Sequence, residues 1–238
     1  MTAYTTIAAT TDVPLFIFGD HASCHIPREY NNLGLSGDDL TRHIAWDIGT
    51  ETIIRQLCAH FGCGGQLANI SRLVIDYNRD PDAAGLIPEM SDGMIIPSNQ
   101  KLTAAERQNR IERFHVPYHE ALSKAVRRDD NPLVISLHSF TPQPITGEVR
   151  PTDIGLLVRH DVPTAEAFRD TVQRNSPQLN VGMNLPYSAY DLNYTVDRHI
   201  APLRLRHLAI ELRQDHISCE ASAHAMGDML AKRLTALI

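Results

Sequence analysis

Short apolar runs alternate with longer amphipathic stretches along this chain. Five runs have strand length: 14–18 (PLFIF), 72–76 (RLVID), 132–137 (PLVISL), 153–158 (DIGLLV) and 206–212 (RHLAIEL). Several are apolar at consecutive positions without polar alternation, which fits strands buried on both faces of a parallel or mixed sheet. The intervening stretches predict helices over 38–60, 103–127, 163–175 and 218–236. In the first, Leu40, Ile44, Ile48, Ile53 and Ile54 recur near helical spacing after Ser36. The second opens on Thr103-Ala-Ala-Glu106, a capping box in which hydroxyl and carboxylate each satisfy the other's backbone amide. Residues 81–101 lack periodicity and hold Pro81, Gly85, Pro88, Gly93 and Pro97, so they read as a long functional or surface loop. Strand–helix alternation without repeats predicts one domain over 1–238, an α/β sandwich with helices on both faces of the sheet.

Composition narrows the function classes. The 238 residues are 43% hydrophobic and 21% charged, with a net charge of −6. That is ordinary for a globular protein large enough to bury a core without staples. Nucleic acid is disfavoured as a partner, because no basic run exceeds Arg127-Arg128 and phosphate backbones call for a basic patch. Cys24, Cys58, Cys63 and Cys219 form no CxxC pair and read as reduced thiols. The N-terminus has neither a basic n-region nor a long apolar h-region, and Val13–Gly19 is too short to span a bilayer. The expectation is a cytoplasmic, soluble protein; oligomeric state is not legible.

The candidate chemistry begins with histidine, of which there are 12. In α/β enzymes ligands bind at the carboxyl edge of the sheet, so the histidines that end strands matter most. His21 follows the run ending at Asp20, and His138 directly follows PLVISL. Two such imidazoles with acidic companions point to a divalent metal, zinc or a similar ion. A catalytic zinc site takes three protein ligands and keeps one position open. Asp47 is the preferred third ligand: it sits in HIAWDIGTE among apolar neighbours, where an unpaired carboxylate would be costly. His43, one predicted helical turn earlier, and His25 are alternative ligands, with His43 otherwise a supporting partner. Glu211 lies inside an apolar strand and is the candidate general base, taking a proton from water acidified by the ion and passing it to a leaving nitrogen. Strand alternation would put Glu211, Arg213 and Asp215 on one face. Arg72, Arg79, Arg150 and Arg198 are candidate clamps for a carboxylate-bearing small molecule, with Asn78 and Ser139 as further contacts and Asp20 behind the ligands. No Gly-rich phosphate loop, GxSxG elbow or GxGxxG motif occurs; Cys24, beside His21, leaves a thiol nucleophile as a minor alternative.

Taken together, DHASCHIP (20–27), HIAWDIGTE (43–51), SRLVIDYNRDP (71–81), IIPSN (95–99), PYH (117–119), HSFTP (138–142), NLPY (184–187), DRH (197–199) and AIELRQD (209–215) resemble the N-formylglutamate amidohydrolase family, in the family's order and over nearly the whole chain. The resemblance implies a phosphorylase/hydrolase-like three-layer α/β/α sandwich with a mixed central sheet, akin to metallocarboxypeptidases and cell-wall amidases. Glu211-Leu212-Arg213 is similar to the carboxypeptidase strand that bears the catalytic glutamate, and 135–139 to the strand that supplies the last zinc histidine. One departure stands out: an HxxE spacing after His21 would put an acidic ligand where this chain has Cys24. The activity implied is hydrolysis of N-formyl-L-glutamate to formate and glutamate, a late step of one histidine-degradation route, or of another N-acyl or peptide substrate. A non-catalytic ligand-binding relative is the alternative of a different class.

Overall fold

A computed structural model describes residues 2–127, 131–145 and 147–238, so Arg128 of the Arg127-Arg128 pair lies outside the described residues. Seven strands form the central sheet in the order β1 (Tyr4–Ile7), β3 (Gly64–Ala68), β2 (Leu15–Gly19), β6 (Leu133–Phe140), β9 (His207–Arg213), β7 (Ile154–Leu157) and β8 (Val181–Met183). Strands β3, β2, β6 and β9 run parallel, whereas β1 is antiparallel to β3 and β7 to β9. The sheet is therefore mixed. A two-stranded ribbon, β4 (Met90–Ser91) with β5 (Met94–Ile95), lies in the 81–101 loop.

Alternation along the central strands divides the core. Leu15, Ile17, Leu133, Ile135, Leu137, Leu208, Ile210 and Leu212 share one face with Ile53, Ile54 and Leu57 of α2 (Thr50–Phe61), Phe168 and Val172 of α5 (Val162–Asn175) and Leu230 of α7 (Glu220–Leu234). Phe16, Phe18 and Val134 join the other face, covered by Tyr118 and Leu122 of α4 (Val116–Val126) and Val196 of α6 (Tyr194–His199). Each such side chain contributes roughly 1.5–3 kcal/mol by leaving water, so both faces are strongly covered. The result is the expected three-layer α/β/α sandwich. On the second face the apolar residues give way to Ser136, His138 and Glu211 toward the strand ends. Among the described residues no helix is long and apolar enough to cross a membrane.

Four of the five predicted strands and three of the four helices form near their expected positions. The stretch 103–127 is continuous, from α3 (Ala104–Arg110) through a π-helical turn (Ile111–His115) into α4, with the Thr103–Glu106 capping box made. The π turn has a local cause: Pro117 has no amide hydrogen for the carbonyl four residues back, so the ladder slips there.

Two expectations are corrected. RLVID (72–76) is not a strand but a buried turn. Ser71 Oγ accepts from Leu73 N and donates to Ala45 O, while Asn99 and Arg110 side chains donate to the carbonyls of Leu73 and Val74. These bonds replace a ladder, which is how an apolar run can be buried without joining the sheet. The helix over 38–60 is broken: α1 (Gly37–Leu40) ends, turns occupy 41–49, and α2 begins at Thr50. Gly49 makes the break, with φ at +82° and a backbone so near Ile217 that a Cβ would lie 2.5 Å from its carbonyl oxygen. Asp47 and His43 thus sit in a loop and not on one helical face.

Gly155 of β7 lies across from Glu211 in the register, and a Cβ there would meet Leu185 O at 2.2 Å and Glu211 Cβ at 3.2 Å. Gly155→Ala is expected to lower stability by about 1–3 kcal/mol. Gly37→Ala, with nothing within 4 Å, stays within about 0.5 kcal/mol of wild type. Urea midpoints of the two variants check this; equal midpoints would refute the close approach.

Candidate metal centre and active site

The carboxyl ends of β2, β6 and β9 lie at one edge of the sheet. Two residues beyond β2, His21 enters this edge; His138 stands in β6 directly across the register from Glu211 in β9. Asp47 arrives from the loop before α2, held by its amide on His21 O (2.9 Å) and by its carbonyl on the Thr50 hydroxyl (2.8 Å). All four side chains are buried.

Asp47 Oδ2 lies 3.0 Å from His138 Nδ1 and 3.4 Å from His21 Nδ1. Ligand atoms bonded at about 2.0–2.1 Å in tetrahedral array are about 3.3 Å apart, so these spacings fit a single divalent ion. Among the described residues His21, Asp47 and His138 are the group whose ligand atoms lie close enough, all within 4.8 Å. Buried His21 Nδ1 has no hydrogen-bond partner among the described residues, which leaves a ligand atom aimed at that point. His43 Nδ1 stays 3.9 Å from the other Asp47 oxygen, and His25 does not line the cavity.

Carboxylates and one arginine back these groups. His21 Nε2 donates to Asp76 Oδ1 at 2.7 Å, the arrangement that fixes the tautomer and orientation of a ligating imidazole. Arg72 bridges the acids, donating to Asp47 Oδ1 (3.3 Å) and Asp76 Oδ2 (3.0 Å). Asp20 Oδ1 accepts from the Tyr118 hydroxyl at 2.7 Å, and its Oδ2 lies 3.9 Å from His138 Nε2.

The electrostatics divide the acids into two kinds. Burial pushes every carboxyl here upward. For Asp47, the charge of His21, the His138 hydrogen bond and Arg72 together outweigh burial and hold it well below the ordinary range. His21 and Arg72 do the same for Asp76. Glu211 has no such cation in hydrogen-bond contact: burial dominates and raises it to about 7, opposed by His138 and reinforced by the charge of Asp47. Among the described residues its Oε2 has no hydrogen-bond partner. Asp20 is also raised by burial. Burial and Arg72 lower His21, yet Asp76 and Asp47 overcome both and lift it to about 9.

These residues line a cavity of about 160 Å³ that includes Asp20, His43, Arg72, Asn78, Arg79, Ser139 and Tyr187. It adjoins a wider groove of about 900 Å³, which shares His43, Arg72, Arg79 and Tyr187 and adds Arg42 and Arg150. The arginines separate by role. Arg72, expected at the substrate, is committed to Asp47 and Asp76. Arg79 reaches both cavities with its nearest acid, Asp76, at 4.0 Å. Arg150 lies over the Tyr187 ring at 4.8 Å. Arg198 bonds to the Tyr194 hydroxyl and lines neither cavity. Arg213 pairs with Asp153 and Asp215 rather than with Glu211.

Among the cavity-lining residues without a role assigned from sequence, Asp76 and Tyr187 matter most to the geometry above. Asp76 carried a signal, a lone carboxylate closing an apolar run four residues after Arg72. Tyr187, from NLPY, carried none beyond its motif.

Comparison with known proteins places the fold and the family. A crystal structure of a gene product from Agrobacterium tumefaciens is 32% identical, superposes with a TM-score of 0.91, and covers 100% of this chain and 96% of its own. N-formylglutamate amidohydrolase from Ralstonia eutropha JMP134 shares the fold at 22% identity, TM-score 0.70, with 100% and 96% covered. No curated protein sequence matches. The N-formylglutamate amidohydrolase family model matches residues 13–218. With that span matched over the sheet edge just described, the chain belongs to the N-formylglutamate amidohydrolase family.

Proposed function

We propose that this protein is a zinc-dependent amidohydrolase that cleaves N-formyl-L-glutamate, or a close N-acyl amino acid, to the free acid and the amine; for the formyl substrate this would be a late step of histidine degradation. The observation that carries the reading is the convergence of His21 Nδ1, Asp47 Oδ2 and His138 Nδ1 in one cavity with buried Glu211, whose Oε2 has no partner among the described residues. His21, Asp47 and His138 would hold the ion, whose contribution when bound is Lewis acidity. Glu211 takes the proton of the attacking water and delivers it to the departing nitrogen as the acyl C–N bond breaks, so the amine leaves neutral. A carboxyl near 7 suits both halves of that transfer. Asp76 and Arg72 keep the His21 ring and the Asp47 carboxylate in place. Arg79, Asn78, Ser139 and, from the outer groove, Arg150 are placed to receive the substrate's carboxylates.

A second reading has its own observation. The outer groove of about 900 Å³ is large for a formyl amino acid and carries apolar Ile44, Ile48, Met90 and Ile145 among its arginines. This favours a longer N-acyl or peptide substrate. A panel of N-formyl, N-acetyl, longer N-acyl and dipeptide substrates separates the two; turnover of the longer compounds without turnover of N-formyl-L-glutamate would overturn the first.

Glu211→Gln is expected to lower kcat by roughly 10²–10⁴-fold with metal content unchanged by elemental analysis; full turnover in this variant would refute the mechanism. Because Glu211 acts as a carboxylate, activity is lost as pH falls through its pKa. Burial puts that near 7 without a cation and a nearby dication lowers it, so kcat/KM should show an acid limb at or below about 7. Metal affinity has the same sign. His21, raised to about 9, must shed a proton to bind, so affinity climbs as pH rises toward about 9, as a chelator competition series would show. Asp76→Ala removes the acceptor behind His21 and should weaken metal binding by about 10–100-fold, measured in the same competition.

A further inference from the structure

The PYH and DRH motifs contribute no metal ligand and no proposed substrate contact, yet their histidines meet in the interior. His119 of α4 and His199 at the end of α6 are both buried. His119 Nδ1 is 2.9 Å from His199 Nε2, and His119 Nε2 is 2.9 Å from Tyr77 O. A carbonyl only accepts, so the hydrogen on His119 sits at Nε2. Burial holds both imidazoles below their ordinary range, His199 at about 4, so each carries one ring hydrogen at neutral pH. His119 Nδ1 is then a bare acceptor, and His199 Nε2 must donate to it. The bonds form one directed chain from α6 through α4 to the Tyr77 carbonyl.

The chain ends on the segment that serves the site. Next to the Tyr77 carbonyl, Asn78 Oδ1 accepts from Thr195 N at 3.0 Å, and Arg79 O accepts from His115 Nε2 at 3.0 Å. The Thr195 hydroxyl adds a longer bond to the Tyr77 carbonyl at 3.4 Å, so three consecutive residues are fastened by donors from the helical layer, with His119 the shorter contact on Tyr77. Their side chains include Asn78 and Arg79, which line the cavity. Loops that are free to move present charged groups poorly, because each productive contact must first order them. We infer that His119 and His199 are positioning residues, a relay of set donor direction that fixes the Tyr77–Arg79 segment and so aims Arg79 and Asn78 at the substrate's carboxylate. This rests on the amidohydrolase reading for the ligand's identity, but not for the relay.

The test compares His199→Leu, which removes the donor, with His199→Gln, whose amide nitrogen can replace Nε2, alongside Arg79→Ala and the His199→Leu/Arg79→Ala pair. With N-formyl-L-glutamate, His199→Leu should raise KM by about tenfold with kcat within about twofold and metal content unchanged. His199→Gln should stay near wild type, and the double variant should be no worse than Arg79→Ala alone. Loss of kcat at constant KM, a Gln variant as impaired as the Leu variant, or additive effects would overturn the proposal. If His199→Leu does not fold, His199→Asn, too short to reach His119 Nδ1, is read in its place. Should wild type turn over no N-acyl amino acid, the functional reading fails and the relay is decided by hydrogen exchange. Faster exchange of the 76–79 amides in the Leu variant, restored by Gln, supports it; unchanged exchange overturns it.

Discussion

The Asp47 carboxylate is the interaction on which the rest of the site depends. It is buried, and a buried carboxylate without partners would neutralise or unfold its surroundings. Here one oxygen faces two imidazoles and the other faces Arg72. Those contacts come from three distant parts of the chain, so the charge is stable only when the sheet edge, the 41–49 loop and the 71–79 turn are all in place. Breaking one partner while leaving the others costs more than any single bond contributes, because a charge remains buried and uncompensated. The site is therefore a consequence of the completed fold and not of any one element.

The same cavity holds carboxyls of opposite character. Asp47 and Asp76 each touch a cation or imidazole and stay ionised, whereas Glu211 and Asp20 make no such bond and are raised by burial. Titratable groups pushed apart in this way suit the division proposed above, some holding charge and another moving protons. The separation follows from position. Glu211 sits in the middle of the sheet between β6 and β7, where main-chain ladders occupy its surroundings, while Asp47 and Asp76 lie on loops that an arginine side chain can reach.

Rigid and adaptable parts are likewise distributed. His138 and Glu211 are paired neighbours on adjacent strands, so their separation is set by sheet geometry. The groups nearest the wider groove, Arg79 and Arg150, stand on loops. Arg79's backbone is tied down by His115 and the neighbouring His119 contact, and Arg150's guanidinium rests on Tyr187. In the function proposed above, chemistry would be carried by the scaffold and recognition by loops anchored to it, the usual division in α/β enzymes.

Much of this was legible in the chain alone. Strand-length apolar runs ending in His138 and containing Glu211 announced a sheet with polar groups where none is needed for packing. Motif order named the family. What the sequence could not show was partnership. RLVID has the composition of a strand but is buried as a turn, because side chains from Ser71, Asn99 and Arg110 satisfy its backbone; composition records burial, not which atoms provide the bonds. Asp47's helical periodicity was a coincidence of apolar neighbours, broken by Gly49 where Ile217 comes too close for a Cβ. β3, with its paired glycines, was invisible because Gly65 is required by the nearness of Ile17 and Cys58, a tertiary demand that lowers strand propensity. Arg72 and Arg79, seven residues apart, look alike in sequence; only the fold commits one to two buried acids and leaves the other facing the groove. Hydrophobic pattern is local and can be read along a chain, whereas the pairing of charges is settled between segments that meet only once the sheet has formed.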